Sequence, residues 1–209
     1  NWSWVKKLFH YSKYVFGTTM ISNISNSMDK FLLGGILNTA EVAVFNTATR
    51  ILNLIDVPLF TISTIVFPKS AERIKNEGPK AVKYLYERSI GLILAMAIPF
   101  TIVCFLFAEQ IILIIAGKEY IDAVPILRIV IFLSILKPFD RQSGSFLDVI
   151  GKPNINFITV LINFGVAVLI LYVMLTYFGI LGAAYGILIS TFIGIVVTHI
   201  ILNKLLNIN

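Results

Sequence analysis

The feature that most constrains this chain is a succession of apolar runs near the ~20 residues a helix needs to cross a hydrocarbon layer. Reading the runs and their breaks gives six spans, approximately residues 14–37, 41–67, 86–108, 123–150, 154–178 and 180–203. The expected fold is therefore all-α: a polytopic, six-transmembrane-helix bundle forming a single membrane domain over residues 1–209. Most connections are short polar turns, "LNTAE", "IGKPN" and "YFGILG". Two are longer. Residues 69–85 read as a cytoplasmic loop with charges throughout and a Gly-Pro break, and residues 109–122 as an outer loop. The apolar core of that outer loop is too short to span, so it is expected to lie along the interface.

Composition agrees. The chain is 57% hydrophobic and only 13% charged, against about a quarter charged in soluble domains, too few to cover a water-facing surface. The net charge of +6 does not indicate nucleic acid, because the bases sort to one side of the bundle. Lys6, Lys13, Arg73, Lys80, Arg88, Lys152 and Lys204 fall in the first, third, fifth and last non-membrane segments, together with most other loop cations. The alternate segments hold only Lys118, beside Glu41, Glu109, Glu119 and Asp122. Positive residues mark the cytoplasmic side. Both termini of this chain are thus expected in the cytoplasm, with the bundle in the inner (cytoplasmic) cell membrane. The single cysteine, Cys104, has no partner for an internal disulfide. Opening with Asn1 rather than Met, the chain is expected to be a piece of a longer polytopic protein.

Five basic residues remain at membrane depth, Lys30, Arg50, Arg128, Lys137 and Arg141, with four acids, Asp29, Asp56, Asp140 and Asp148. A charge at the bilayer centre costs about 2.5–3.5 kcal/mol on insertion scales, so such residues face a bundle interior or a wet space. Their spacing fits. Thr19, Asn23, Asn26, Ser27 and Lys30 recur every three or four residues along the first span. Asn46, Arg50, Asn53 and Asp56 do so along the second, and Lys137, Arg141, Gly144 and Asp148 along the fourth. At ~1.5 Å per residue, Arg128 lies roughly 8 Å below the outer end of its span, Lys30 about 10 Å and Arg50 about 14 Å. Lys137 and Arg141 lie roughly 21 and 27 Å down. Arg128 is out of phase, about 180° around an ideal helix from Lys137, unless a kink at Pro138 resets the register.

Two readings fit these charges. In one they line a wet cavity, where Lys30, Arg50, Arg128, Lys137, Arg141, Asn23 and Asn53 are candidate substrate contacts. The cations outnumber the acids, which favours an anionic guest such as phosphate or carboxylate. In the other, Asp29, Asp56 and Asp140 neutralise neighbouring cations in structural pairs, and the asparagines bond helix to helix. Asp29 or Asp56 also has the chemistry to couple transport to an ion gradient, or to pair with Lys30 or Arg50. Polar stripes on three of six helices favour the cavity.

The third, fifth and sixth spans lack charge between their ends. The last carries Gly182, Gly186, Ser190, Gly194 and Thr198 at intervals of four, a small-residue seam for close packing. Pro58, Pro99 and Pro138 fall inside spans, and each removes a backbone hydrogen bond. His10 and His199 are far apart, and no metal constellation, phosphate-binding glycine loop, nucleophile elbow or paired catalytic carboxylates stand out. No metal, no cofactor and no enzymatic activity are expected.

Several stretches carry a resemblance. "MDKFLLGGILNTAEVAVFNTATRI" resembles the Asp-Arg/Lys-apolar-Gly, Glu-Val-x-x-Tyr, Ala-x-Arg stretch of the polysaccharide and lipid-linked oligosaccharide flippases. These are the Wzx-like members of the MATE-related MOP exporter superfamily. "FPKSAE" is similar to their Phe-Pro helix close, and "IILIIAGKEYIDAVPILRI" to their Leu-Phe-Gly-x-x-Tyr…Ala-x-x-Leu-Arg segment. "LDVIGKPN" and "FGILGAAYG" resemble their Gly-Lys/Arg-Pro and Phe-Gly-x-x-Gly-Ala-Ala motifs. The pieces run in order over nearly the whole chain, with Phe45 where the family often has Tyr. The resemblance implies the carboxy-terminal bundle of a two-bundle transporter, partnered by an amino-terminal bundle of the same protein. Its cargo would be a lipid-linked anionic glycan, a polyprenyl-pyrophosphate oligosaccharide, carried from the cytoplasmic to the outer leaflet by alternating access, in contact with membrane lipid. Asp29, Lys30, Arg50 and Arg128 fall on the family's charged positions. A multidrug exporter of the same superfamily is the alternative, which would favour acids and aromatics in the cavity. A membrane-embedded glycan-assembly enzyme would need a large polar outer loop, and "EQIILIIAGKEYIDA" offers little of one.

Overall fold

The computed structural model describes residues 2–77 and 82–206, and these are helical, with no strand among them. In order they form α1 (Trp2–Ile36), α2 (Thr39–Leu52), a tight helical turn (Asn53–Ile55) and α3 (Asp56–Glu77). Then come α4 (Val82–Leu106), α5 (Ala108–Ile115), a second tight turn (Lys118–Tyr120), α6 (Ala123–Val130), α7 (Leu133–Val149) and α8 (Pro153–Leu206).

Local chemistry explains the joints. Asn38 caps α2: its side chain accepts the Glu41 amide at 2.9 Å, while Glu41 accepts the Asn38 amide at 3.3 Å. That reciprocal pair satisfies two amides that a helix start otherwise leaves orphaned. α2 continues into α3 through the turn at Asn53–Ile55, because the ring of Pro58 meets the carbonyl four residues back, at Leu54, and the path tightens there. The expected fourth span, 123–150, is two helices. Its break lies at residues 131–132, ahead of Pro138, which sits inside α7. There the amides of Ser134 and Ile135 bond three residues back, and the Ser134 hydroxyl also donates to the Ile131 carbonyl at 2.6 Å. α7 ends where the Lys152 amide reaches the Leu147 carbonyl at 2.9 Å and Gly151 turns left-handed (φ 76°). α8 is broken at Gly179, whose φ 59° and ψ −146° suit glycine alone. Its two limbs, 153–178 and 180–206, run antiparallel.

The two long connections are themselves largely helical. Residues 69–85 are helical as far as Glu77 and again from Val82, with 78–81 outside the described residues. Residues 109–122 hold most of α5, which buries Ala108 and Ile112 in the core and turns Ile114 outward. An amphipathic run of that length is stable as a helix once one face is covered.

The buried core gathers Phe45 and Ile51 of α2, Ile93 of α4, Leu127 of α6 and Leu171 of α8. The outside is equally apolar, with Phe16, Phe31, Leu92, Met96, Ile102 and Leu169 all exposed. In water such a surface would be an aggregation liability; in lipid it matches its solvent. Among the described residues, three stretches are long and apolar enough to cross a membrane: Thr39–Val66, Tyr86–Leu106 and Pro153–Lys204. The last is long enough to cross twice about Gly179. α1 falls short of that apolarity because it carries a polar stripe, and α6 and α7, separated by the break at 131–132, are each too short.

The small-residue seam joins the limbs of α8. A Cβ on Gly182 would collide with the Met174 backbone carbonyl, and one on Gly186 would lie 3.2 Å from the Met174 Cβ. Gly182→Ala is expected to lower the thermal unfolding midpoint in detergent, through an overpacking cost of about 1–3 kcal/mol. Gly165→Ala, where an added methyl meets nothing within 4 Å, should leave the midpoint level or raise it slightly.

Candidate functional site: a polar cavity inside the bundle

α1 leans on α8 and touches α2 only slightly. A cleft therefore opens between α1 and the α2–α3 and α7 walls, with α8 as its floor. It encloses a cavity of about 1190 Å³. The three stripes meet there. Asn23 and Lys30 of α1 face Asn46, Arg50 and Asn53, with Asp56 at the start of α3. Lys137, Asp140, Arg141, Gly144 and Asp148 line it from α7. Lipid on the outside and a wet interior are the only arrangement that keeps these groups solvated.

The floor was not legible as such. Asn156, Thr159 and Asn163 of the first α8 limb, and Ser190, Thr191 and Thr198 of the second, also line the cavity, although only packing was expected of the second limb. Asn156, Thr159 and Asn163 share one helix face, and that spacing was the available signal. Asn163 donates to the Gly194 carbonyl and the Thr198 hydroxyl, each at 3.4 Å, so it packs the limbs and lines the cavity at once.

Arg128 does not join the others. It stays exposed on the outer side of α6, its guanidinium 6.0 Å from the ring centroid of Phe105. Its neighbours Leu127 and Val130 take the buried positions, and the break after α6 does not turn Arg128 inward. Without it the cavity wall carries four cations (Lys30, Arg50, Lys137, Arg141) and four carboxylates (Asp29, Asp56, Asp140, Asp148), a formal sum of 4 − 4 = 0. The cation excess read from the sequence is not a property of this wall.

What distinguishes the charges is how each is engaged. Lys137 Nζ donates to both Asp56 carboxylate oxygens, at 2.9 and 3.0 Å, and to Asn53 Oδ1 at 3.3 Å. Asp56 thus pairs across helices with Lys137, not with its sequence neighbour Arg50. Asp148 accepts Asn156 Nδ2 at 2.9 Å, and Tyr11 Oη donates to the Asp148 backbone carbonyl at 3.3 Å. Gly144 leaves room for that Asn156, since a Cβ there would lie 3.3 Å from its Oδ1. Arg141 rests 5.6 Å from the Phe60 ring centroid. Asp29 accepts the Lys30 backbone amide at 3.0 Å. The side chains of Lys30 and Arg50 are exposed to the cavity and, among the described residues, make no hydrogen bond or ion pair. Among those residues no three metal-ligating side chains cluster.

A family model described as "Polysaccharide biosynthesis protein" matches residues 1–125. The membrane protein MJ1068 of Methanocaldococcus jannaschii is 28% identical over 203 residues, 97% of this chain and 40% of that protein. The "Probable low-salt glycan biosynthesis flippase Agl15" of Haloferax volcanii is 22% identical over 185 residues, 88% of this chain and 39% of its own length. The fold is that of the MATE transporters. A multidrug resistance MATE family transporter of the MOP superfamily, solved outward-facing, superposes with a TM-score of 0.79 at 16% identity, over 92% of this chain and 44% of that one. The chain therefore spans about two fifths of the length of the relatives it matches. It is a multi-pass, all-α membrane protein.

The Lys137–Asp56 pair joins two helices, so it is expected to contribute to stability. Lys137→Met should lower the unfolding midpoint in detergent by an amount equivalent to roughly 1 kcal/mol, the pair being half-exposed. Adding Asp56→Leu should restore most of it, because the carboxylate left without its partner is removed. Additive losses in the double variant would show that the two charges do not act as a pair.

Proposed function

The chain belongs to the polysaccharide biosynthesis protein family, and on that premise we propose that it is one bundle of a membrane transporter for a lipid-linked anionic glycan. The cargo class is a polyprenyl-pyrophosphate-linked oligosaccharide, moved from the cytoplasmic to the outer leaflet by alternating access. The observation that carries this reading is the pair of unengaged cations, Lys30 and Arg50, on the wall of a cavity of about 1190 Å³ that also presents many amides and hydroxyls beside its other charges.

The chemistry follows from what a charged headgroup loses in oil. Burying an ionised group without partners is prohibitive. A wall of Asn, Ser and Thr offers donors and acceptors to sugar hydroxyls, while a guanidinium and an ammonium meet phosphate oxygens through charge-assisted bonds. The prenyl tail stays in lipid beside the apolar outer face. Lys137 serves here chiefly as a strut held by Asp56, and Arg141 as a cation shared with Phe60. The second wall of the cavity comes, on this reading, from another bundle of the full-length transporter, as the lengths of the relatives support. The loop charge bias supports cytoplasmic termini, and the name of the Haloferax relative supports a glycan cargo.

A second reading has one observation in its favour. Carboxylates equal cations on this wall, which suits a cationic drug as well as an anionic lipid, and the solved MATE relative is a multidrug resistance transporter.

Arg50→Ala in the full-length protein tests the choice. The flippase reading expects surface glycan to fall about tenfold or more, from the loss of a contact worth about 1.5–3 kcal/mol. Lipid-linked oligosaccharide should accumulate while the protein level holds, and Arg50→Lys should retain part of the activity. Unchanged surface glycan, with altered efflux of cationic dyes, would overturn the flippase reading in favour of drug export.

A further inference from the structure

A second cleft, of about 670 Å³, lies apart from the central cavity, between the start of α1 and the α7–α8 turn. Lys6, His10, Tyr11 and Tyr14 form one wall and Pro153 and Asn154 the other. We propose that this cleft is a binding site for the phosphate headgroup of an anionic membrane lipid, distinct from the central cavity and independent of what that cavity carries.

Position is the first support. α1 has 35 residues, so it is about 52 Å long at ~1.5 Å per residue, well beyond a hydrocarbon core of about 30 Å. Its first dozen residues thus reach headgroup level. Trp2 and Trp4 stand 78% and 63% exposed there, in the aromatic belt where amphipathic rings settle.

Charge is the second. The first acid in the chain is Asp29 and the last is Asp148, so the start of α1 and all of α8 carry cations without a single carboxylate. Lys6 and His10 line the cleft, with Lys13 and Lys152 beside it. The nearest acid along the chain, Asp148, is taken: its carboxylate holds Asn156, and it faces the central cavity. Basic pockets between membrane helices are the usual seat of anionic headgroups.

Unused donors are the third. Tyr11 is committed to the Asp148 carbonyl and forms the partition between the two cavities. The hydroxyl of Tyr14, the side chains of Lys6 and Asn154, and the ring nitrogens of His10 make no hydrogen bond among the described residues. The Tyr14 ring is met by His10 at a steep angle, with centroids 5.2 Å apart, lies 6.0 Å from the ring of Phe157, and carries the Lys13 ammonium 4.8 Å from its centroid. An ammonium, an imidazole, an amide and a phenol around one cleft suit the oxygens of a phosphodiester, whose acyl chains would run down between α1 and α8.

The test is thermal unfolding of the full chain in detergent with phosphatidylglycerol, phosphatidylcholine of the same acyl chains, or soluble pyrophosphate. Phosphatidylglycerol is expected to raise the midpoint by at least about 3 °C, with no rise from the other two. Lys6→Glu and Asn154→Leu, one on each wall, should each lose most of that rise. Lys6→Arg, and Lys204→Gln outside the cleft, should keep it. An equal rise with phosphatidylcholine, or a rise that survives both wall variants, would overturn the site. A matching rise with pyrophosphate would overturn the lipid assignment and make it a site for a free anion.

Discussion

The structure depends on one asymmetry: apolar side chains cost nothing in hydrocarbon, and charged or hydrogen-bonding groups cost several kcal/mol unless another group or water meets them. Everything else follows from sorting residues under that rule. Phe16, Phe31, Leu92 and Leu169 face outward, where in a soluble protein they would be hidden. The stripes headed by Asn23, Arg50 and Lys137 turn inward to a shared space. The result is a bundle apolar at its core, apolar at its rim, and wet along one internal cleft.

The same rule decides where helices break. Irregular backbone at membrane depth survives only where its freed groups find partners. At the α6–α7 break, the Ser134 hydroxyl caps the Ile131 carbonyl and bonds Thr101 across to α4. At the α2–α3 turn, Asn53 and Asp56 receive Lys137. Each interruption sits beside a proline-containing segment, and each is tied to a neighbouring helix by a polar side chain. At these two breaks a helix that loses its own backbone bonds gains a cross-helix tether at the same place, and the tether of Lys137 to Asn53 and Asp56 also forms part of the cavity wall.

How much of this was legible depends on the range over which each interaction acts. Helix content, the internal stripes and the small-residue seam are set by neighbours three or four positions apart, and they were readable from spacing. The Lys137–Asp56 pair joins residues 81 positions apart, and nothing in a single sequence sets that register, so local pairing of Asp56 with Arg50 was the natural guess. The second α8 limb was read as a packing seam, and the first only as a span without charge. Their amides and hydroxyls nonetheless line the cavity, since a wet wall needs donors and acceptors as much as charges. Arg128 shows the converse. Its phase on an ideal helix placed it away from Lys137, and the break after α6 left it outside. Residues 69–77 and α5 are helical within segments read as connections, because charge density and short length argue against spanning a membrane, not against being helical.

The neutral sum of the cavity wall sharpens what recognition must rest on. Four cations and four carboxylates on one surface give no net attraction at a distance beyond screening, so selectivity lies in which charges remain free to meet a guest. Asp56 cancels Lys137, and Asn156 occupies Asp148. Asp29 has its neighbour's amide. Arg141 meets only the Phe60 ring, and the Asp140, Lys30 and Arg50 side chains make no hydrogen bond or ion pair among the described residues. Lys30 and Arg50, on adjoining helices, both lie towards the same end of the bundle on the sequence-based depth scale. A guest entering this cleft meets amides, hydroxyls and charges of both signs along its length and two unpaired cations at one end. Such a surface distinguishes a molecule that is sugar-like over its body and anionic at one terminus from one that is uniformly charged, and it does so by the placement of two side chains, not by the charge total.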